Sequence, residues 1–343
     1  MSIRQMVRAL RARLRLRLKR QRLLLRSFRA RRQLHPHTDR TAQIAPRDLL
    51  AFACVRNEAV RLPYFLAHHR ALGVNHFLIV DNASDDGTRD LIAAEPDCSV
   101  WSTAASYKAS RFGLDWVNWL LMRYGHGHWC LTLDADEAFL YPDHDTRGLR
   151  ALTDRLDAQG RGVFGALMLD MFPKGRLDAQ SYVTGDDPFA NLRWFDADNY
   201  TVLMKPLLRC LWVQGGARAR VFFADAPRRA PTLNKIPLVR WHRRYAYVNS
   251  THSLLPRELN QMYDGAGRPI ASGVLLHSKF LHTIIDKSRE EKTRREHFGD
   301  AAAFDAYYDG LIANPDLWHE GACEYAGWRQ LVTLGLMHPV IWR

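Results

Sequence analysis

The first thirty-three residues contain no aspartate or glutamate. They also lack the uninterrupted apolar core and small-residue cleavage site of a signal peptide. Arginine recurs there every two or three residues, which excludes a membrane span. Cysteine is scarce: Cys54, Cys98, Cys130, Cys210 and Cys323 are an odd number with no ligand-like spacing. That argues against a disulfide framework or a zinc site and fits a reducing cytoplasm. Basic charge is abundant but confined. The acid-free tail holds thirteen Lys and Arg residues, equal to the net charge of +13 for the whole 343-residue chain. The remainder is formally neutral and lacks the basic footprint of a nucleic-acid-binding domain.

Within the tail, Ile3, Val7, Leu10, Leu14, Leu18, Leu25 and Phe28 recur at three-to-four spacing or its double. Flanked by arginines, they predict an interfacial helix that is disordered in water and folds on anionic lipid. Residues 34–47, with Pro36 and Pro46, read as a linker.

From 48 onward strands and helices alternate. Asp48–Val55, Asn75–Val80, Cys98–Trp101 and Trp129–Leu133 are apolar runs. Leu62–Leu72, Thr88–Ala94 and Arg111–Tyr124 carry helical patterns, the first closed by Gly73. This predicts an α/β domain over 48–282, a mostly parallel, Rossmann-like sheet with helices on both faces. A helical segment, 283–343, follows. Chain length allows one large domain or two small ones.

The run Trp129–Leu133 ends in Asp134, Asp136 and Glu137. Carboxylates at the end of a buried strand lie where open α/β sheets bind ligands. Two hard oxygen donors there suit Mg²⁺ or Mn²⁺, completed by substrate phosphates and water. A loop whose acids cap the next helix is the plain alternative.

Three strand-end segments carry a resemblance: Ala53-Cys54-Val55-Arg56-Asn57-Glu58, Val80-Asp81-Asn82 through Thr88, and Leu133-Asp134-Ala135-Asp136-Glu137. In this order and spacing they are similar to the motifs of glycosyltransferase family 2, enzymes of the A-type glycosyltransferase fold. The resemblance is good over 48–145, the nucleotide-binding half, and loose over 146–282, the acceptor half. It implies that Val55, Arg56, Asn57, Glu58 and Asp81 hold the base and ribose of a nucleotide-sugar, a UDP-sugar by preference. Lys108 and Arg111 are local candidates for further nucleotide contacts. It implies that Asp134 and Asp136 hold a divalent ion on the diphosphate, with a late histidine completing the site. His277, which ends the apolar run after Ala271, is the candidate, and Lys279 the phosphate contact. His252 and His282 are alternatives.

Inverting transfer needs a base, and the family's acidic pair is missing at its usual place. Asp170, Asp186 and Asp187 are the available acids, and Asp170 and Asp187 are carried as catalytic candidates. Pro173–Asn199 reads as a substrate-facing loop, and Arg220–Phe223 as a strand. The implied activity is sugar transfer to a glycan or lipid-linked acceptor in cell-surface polysaccharide or lipopolysaccharide synthesis, at the inner face of the cytoplasmic membrane. A haloacid dehalogenase-type phosphatase, from the Asp-x-Asp after an apolar strand, and an RNA-binding protein using the arginine tail are the alternatives.

Overall fold

The structure is a computed structural model describing residues 3–262, 267–294, 296 and 301–342, with side chains omitted at Ile3 and 301–304. Its centre is a nine-stranded sheet. In chain order the strands are β1 (His35–Thr38), β2 (Leu49–Val55), β3 (His76–Asp81), β4 (Cys98–Ser102), β5 (Trp129–Thr132), β6 (Glu137–Leu140), β7 (Val163–Asp170), β8 (Asn234–Arg240) and β9 (Gly273–His277). Across the sheet they run β1-β4-β3-β2-β5-β8-β7-β9-β6. Six strands, β2, β3, β4, β5, β7 and β9, point one way; β1, β6 and β8 point the other. The sheet is mixed in pairing and mostly parallel in direction.

Alternation along β2 explains its continuous apolar sequence. Leu49, Ala51, Ala53 and Val55 face a core shared with Leu62, Phe65 and Leu66 of α2 (Leu62–Leu72), Ile92 of α3 (Thr88–Ala94) and Leu149, Leu152 and Leu156 of α5 (Leu149–Ala158). Leu50 and Phe52 face the opposite core, with Trp116, Val117, Leu120 and Leu121 of α4 (Leu114–Tyr124). A strand covered on both faces has no polar side to display. Gly73 ends α2 in the left-handed region, φ 108°, as its place after the last periodic leucine predicts.

Four expectations need correction. Helix α4 starts at Leu114, because Arg111 and Phe112 have φ of 56° and 60°, which a right-handed helix cannot contain. Gly113 caps it at φ 74°, and a Cβ there would lie 2.8 Å from Cys54 Sγ. The expected linker supplies β1, paired antiparallel to β4. The expected strand at Arg220–Phe223 is instead the end of a wide helical turn, Arg218–Phe222, with Phe223 just after it. Pro173–Asn199 does not face the cavity described below. Its Tyr182, Phe189, Leu192 and Phe195 pack into a core with Ala138, Leu140, Val274 and Leu276 of the β6–β9 edge.

The basic tail is a 28-residue helix, α1 (Ile3–Ala30), joined to the body over its second half. Leu16, Leu23, Ser27 and Ala30 are buried, and Arg26 donates to Asp115 of α4 at 2.8 Å. These contacts remove the expectation of a separable, disordered tail. The periodic stripe from Val7 to Leu25 lies on the opposite, exposed face.

Candidate active site

Because β8 runs against its neighbours, its first residues lie at the edge where β5, β7 and β9 end. Between β5 and β6 in the sheet lie β8, β7 and β9, so residues 133–136 must pass those strand ends. The contacts follow from that path. Asp134 Oδ2 accepts from Lys235 Nζ of β8 at 2.7 Å, and Glu137 also pairs with Lys235. Asp136 Oδ2 stands 3.1 Å from His277 Nε2 of β9. Ser278 pins the segment down, its N–H and hydroxyl donating to the Asp136 carbonyl at 2.8 and 3.1 Å.

His277 is held from behind. Its Nδ1 is 2.6 Å from Asp170 Oδ1, and Asp170 Oδ2 accepts from Arg218 Nε at 2.7 Å. The parallel register of β9 with β7 places His277 opposite Asp170. Burial opposes charge along this row, and the partners outweigh it. Arg218 and the His277 hydrogen bond bring Asp170 down to about 2. The His277 charge and hydrogen bond hold Asp136 well below the usual carboxylate range. Asp136 and Asp170 together raise His277 above its ordinary value. Burial pushes Glu137 up to about 7 against the pull of Lys235.

These groups open on a cavity of about 810 Å³. Val55, Arg56, Glu58, Lys108, Arg111, Asp134, Asp136, His277 and Lys279 line it; Asn57, Asp81, Asp170 and Asp187 do not. Asn57 braces the neighbouring strand-end loop instead, and Arg56 does so from the cavity wall. The Asn57 N–H donates to Ser84 Oγ, its Oδ1 accepts from the Asp85 N–H, and Arg56 donates to the carbonyls of Asn82 and Ala83. Arg111 is committed to Asp115 at 2.8 Å. Asp81 is 1% exposed; Oδ2 accepts from the Ser84 N–H at 3.3 Å, while Oδ1 is buried with no hydrogen-bond partner among the described residues. Asp86, not Asp81, meets Thr88 at the start of α3.

The two base candidates sit badly for that role. Asp170 has both oxygens engaged and its side chain fully buried, so it positions His277. Asp187 accepts from the Phe189 N–H at 2.9 Å, capping a short turn away from the cavity.

Several lining residues had no local signature. Lys235, Arg218, Arg61, Gln214 and Lys287 are scattered over the chain, and α6 (Ile284–Arg294) carries Lys287, Glu290, Glu291 and Arg294 onto the cavity wall. Arg218 Nη2 is buried without a hydrogen-bond partner among the described residues. His252 lines the cavity with Nδ1 on the Asn234 carbonyl, and burial beside Lys235 lowers it to about 4, keeping it neutral. His282 is not on the wall.

Asp136 and His277 fit a divalent ion. Neighbouring ligands of an octahedral ion with bonds near 2.1 Å lie about 3 Å apart, close to the observed separation. A carboxylate on the far ring nitrogen is the usual support for a metal-binding histidine. Asp134, half-exposed, could join only by sharing its charge with Lys235. Among the described residues no three His, Cys, Asp or Glu side chains form a metal-holding group, so substrate oxygens and water would fill the remaining positions.

No family model matches the chain, and no curated protein matches it. Among solved structures it is similar to a UTP-bound UGPase from Acinetobacter baumannii, at 12% identity over 40% of this chain and 64% of that one, TM-score 0.26. The chain thus spans under two thirds of that protein's length. A 4-diphosphocytidyl-2C-methyl-D-erythritol synthase matches at 18% identity over 41% and 68%, TM-score 0.24. A Bacillus anthracis protein described as a glucose-1-phosphate thymidylyltransferase, in complex with sucrose, matches at 9% identity over 77% and 83%, TM-score 0.29. Likenesses this distant carry no argument about function, which rests on the site's own chemistry.

Proposed function

We propose that this chain is a glycosyltransferase that moves a sugar from a nucleotide-sugar to a glycan or lipid-linked acceptor. The observation that carries the reading is the meeting of Asp136 and His277 at the strand ends, beside a cavity walled by Arg61, Arg218, Lys235, Lys279 and Lys287. A diphosphate is a leaving group with two ionised phosphates, and such a wall suits it. Asp136 and His277 would hold Mg²⁺ or Mn²⁺, which as a Lewis acid neutralises charge developing on the departing diphosphate. Arg218, fixed through Nε by Asp170, offers Nη2 to phosphate oxygens. Lys279, whose pKa burial lowers, adds a point charge beside Asp136. Asp81 is off the cavity wall, next to its lining residue Asn82, and its buried Oδ1 would accept an N–H of a base or a ribose hydroxyl only from a nucleotide that reaches past Asn82.

The phosphatase alternative expects its Asp-x-Asp after the first strand of the domain, and here strands β2, β3 and β4 come before β5. The deciding experiment is a mass-detected donor-hydrolysis screen across UDP-, GDP-, CMP- and dTDP-sugars, with and without Mn²⁺. Metal-dependent release of the nucleotide from one donor class, abolished in Asp136→Asn, is expected. If no donor is cleaved and calorimetry finds no nucleotide binding, the proposal fails.

A further inference from the structure

Helix α1 has two apolar faces. Leu16, Leu23, Ser27 and Ala30 turn inward, at the spacing of one face. Roughly 180° away, on the opposite side of the helix, lies a second stripe. There Val7, Leu10, Leu14, Leu18 and Leu25 are 41–67% exposed. Arg11, Arg15 and Arg22 flank this stripe on one side, Arg13 and Arg17 on the other, and Gln21 is its polar interruption. No acid lies anywhere on the helix. Its first half stands clear of the body: from Arg4 to Arg15 every residue is exposed except Ala12, which is half-buried.

A second exposed apolar element lies next to it. The hairpin of Thr201–Lys205 and Cys210–Gln214 exposes Val202, Leu203, Met204 and Leu207, with Lys205 and Arg209 among them. Leu208 in its turn packs against the cluster that holds Leu16 and Leu23 of α1. The hairpin's second strand carries Trp212 and Gln214, both on the cavity wall.

We propose that the outer face of α1, with the adjoining hairpin, seats this chain on an anionic bilayer surface. Charge complementarity selects the occupant. An apolar stripe bordered by arginine rows with no acid matches acyl chains below and anionic headgroups beside them. A protein groove would accept the stripe, but the arginine rows would then need acids along the partner's whole length. RNA would take the arginines and leave the leucines in water. Among the described residues no helix is long and apolar enough to cross a membrane, so the contact is in the interface plane. Because α1 is locked to α4 through Arg26 and Asp115, docking would orient the whole body and hold the cavity wall near lipid. This inference does not depend on the reaction.

The test is flotation of the full chain with vesicles of phosphatidylglycerol and phosphatidylcholine, and with phosphatidylcholine alone, at about 0.15 M salt. The chain should float with the first and stay behind with the second. Leu10→Glu/Leu14→Glu should lower the bound fraction about tenfold or more, and Leu203→Glu/Met204→Glu should lower it less. Both pairs are exposed, so unfolding midpoints should not change. If the first pair does disturb folding, Leu10→Gln/Leu14→Gln takes its place with the same expectation. The proposal is overturned if the wild-type chain fails to float with anionic vesicles, or if the α1 variants float as well as it does. Tight binding of duplex or single-stranded RNA by a chain that does not float would reassign the arginine face to nucleic acid.

Discussion

The two halves of the sheet meet the cavity in different ways. In the first half, strand ends β2 and β3 carry recognisable motifs, yet many of those side chains hold one another. Arg56 grips two carbonyls of the next loop, Asn57 bridges Ser84 and Asp85, and the Glu58 carboxylate pairs with Arg61 and Lys287. In the second half, β8 carries no motif and β9 only the candidate His277, and Lys235 and His277 pair with Asp134 and Asp136. A motif residue can therefore build the rim of a site, while an unmarked residue on a distant strand tunes its chemistry.

The sharpest way to break that contrast is at Asp170. Asp170→Ala leaves Arg218 charged, buried and unpaired, and releases Nδ1 of His277. Unfolding in denaturant should show a loss of about 3–5 kcal/mol. The same residue predicts a pH effect. Folding raises the pKa of His277, so the stability this group adds is complete below its ordinary value of 6.5 and disappears as pH rises through the raised value. Asp170 works in the other direction. Its contribution is present above the ordinary carboxylate value of 3.8 and is lost as pH falls toward about 2. Without added metal, the alkaline decline should be visible in the wild-type chain and flattened in His277→Gln; equal slopes would break the link.

Asp136→Asn tests the other end of the row. Calorimetry with UDP and Mn²⁺ should show affinity reduced by more than the roughly 10–100-fold that loss of an outer-shell partner costs, with the fold retained. Metal binding to the wild type should also release a proton from His277, detectable as a buffer-dependent heat. Unchanged affinity would remove Asp136 from the site.

Asp81→Asn probes the first half. If its buried Oδ1 meets the nucleotide, binding should weaken by about 1–3 kcal/mol. Normal affinity would make Asp81 one more rim-building residue, like Asn57. The smallest effect belongs to Arg26→Ala. Asp115 keeps Arg111, and Arg26 is half-exposed, so stability should fall by no more than about 1 kcal/mol by thermal unfolding. A much larger loss would mean that α1 is a greater part of the core than its buried residues indicate.

Much of the first half was legible because its signals are local. Apolar runs for strands β2 to β5, Gly73 after α2, and acids following Leu133 all lie within a few residues of what they specify. The inward face of α1 was illegible for the opposite reason. Leu16 and Leu23 are scarcely distinguishable from Leu14 and Leu18 until α4 and the 246–255 segment occupy one side. Likewise Asp170 is an available acid in the sequence, and only the register with β9 shows that its oxygens are taken.

The amino-acid sequence by itself determined the alternating α/β order, the place of the Asp134–Asp136 pair at a strand end, and the concentration of positive charge in the first thirty-three residues. These follow from periodicity and composition, which act over short stretches of chain. Tertiary structure alone decided that Lys235 sits on Asp134, that His277 lies between Asp136 and Asp170, and which face of α1 remains open. Those outcomes depend on strand order and direction. The antiparallel entry of β8 brings residue 235 to the edge where residue 134 emerges, and pairing of β9 with β7 aligns 277 with 170. No property of a segment read alone encodes which distant strand will lie beside it.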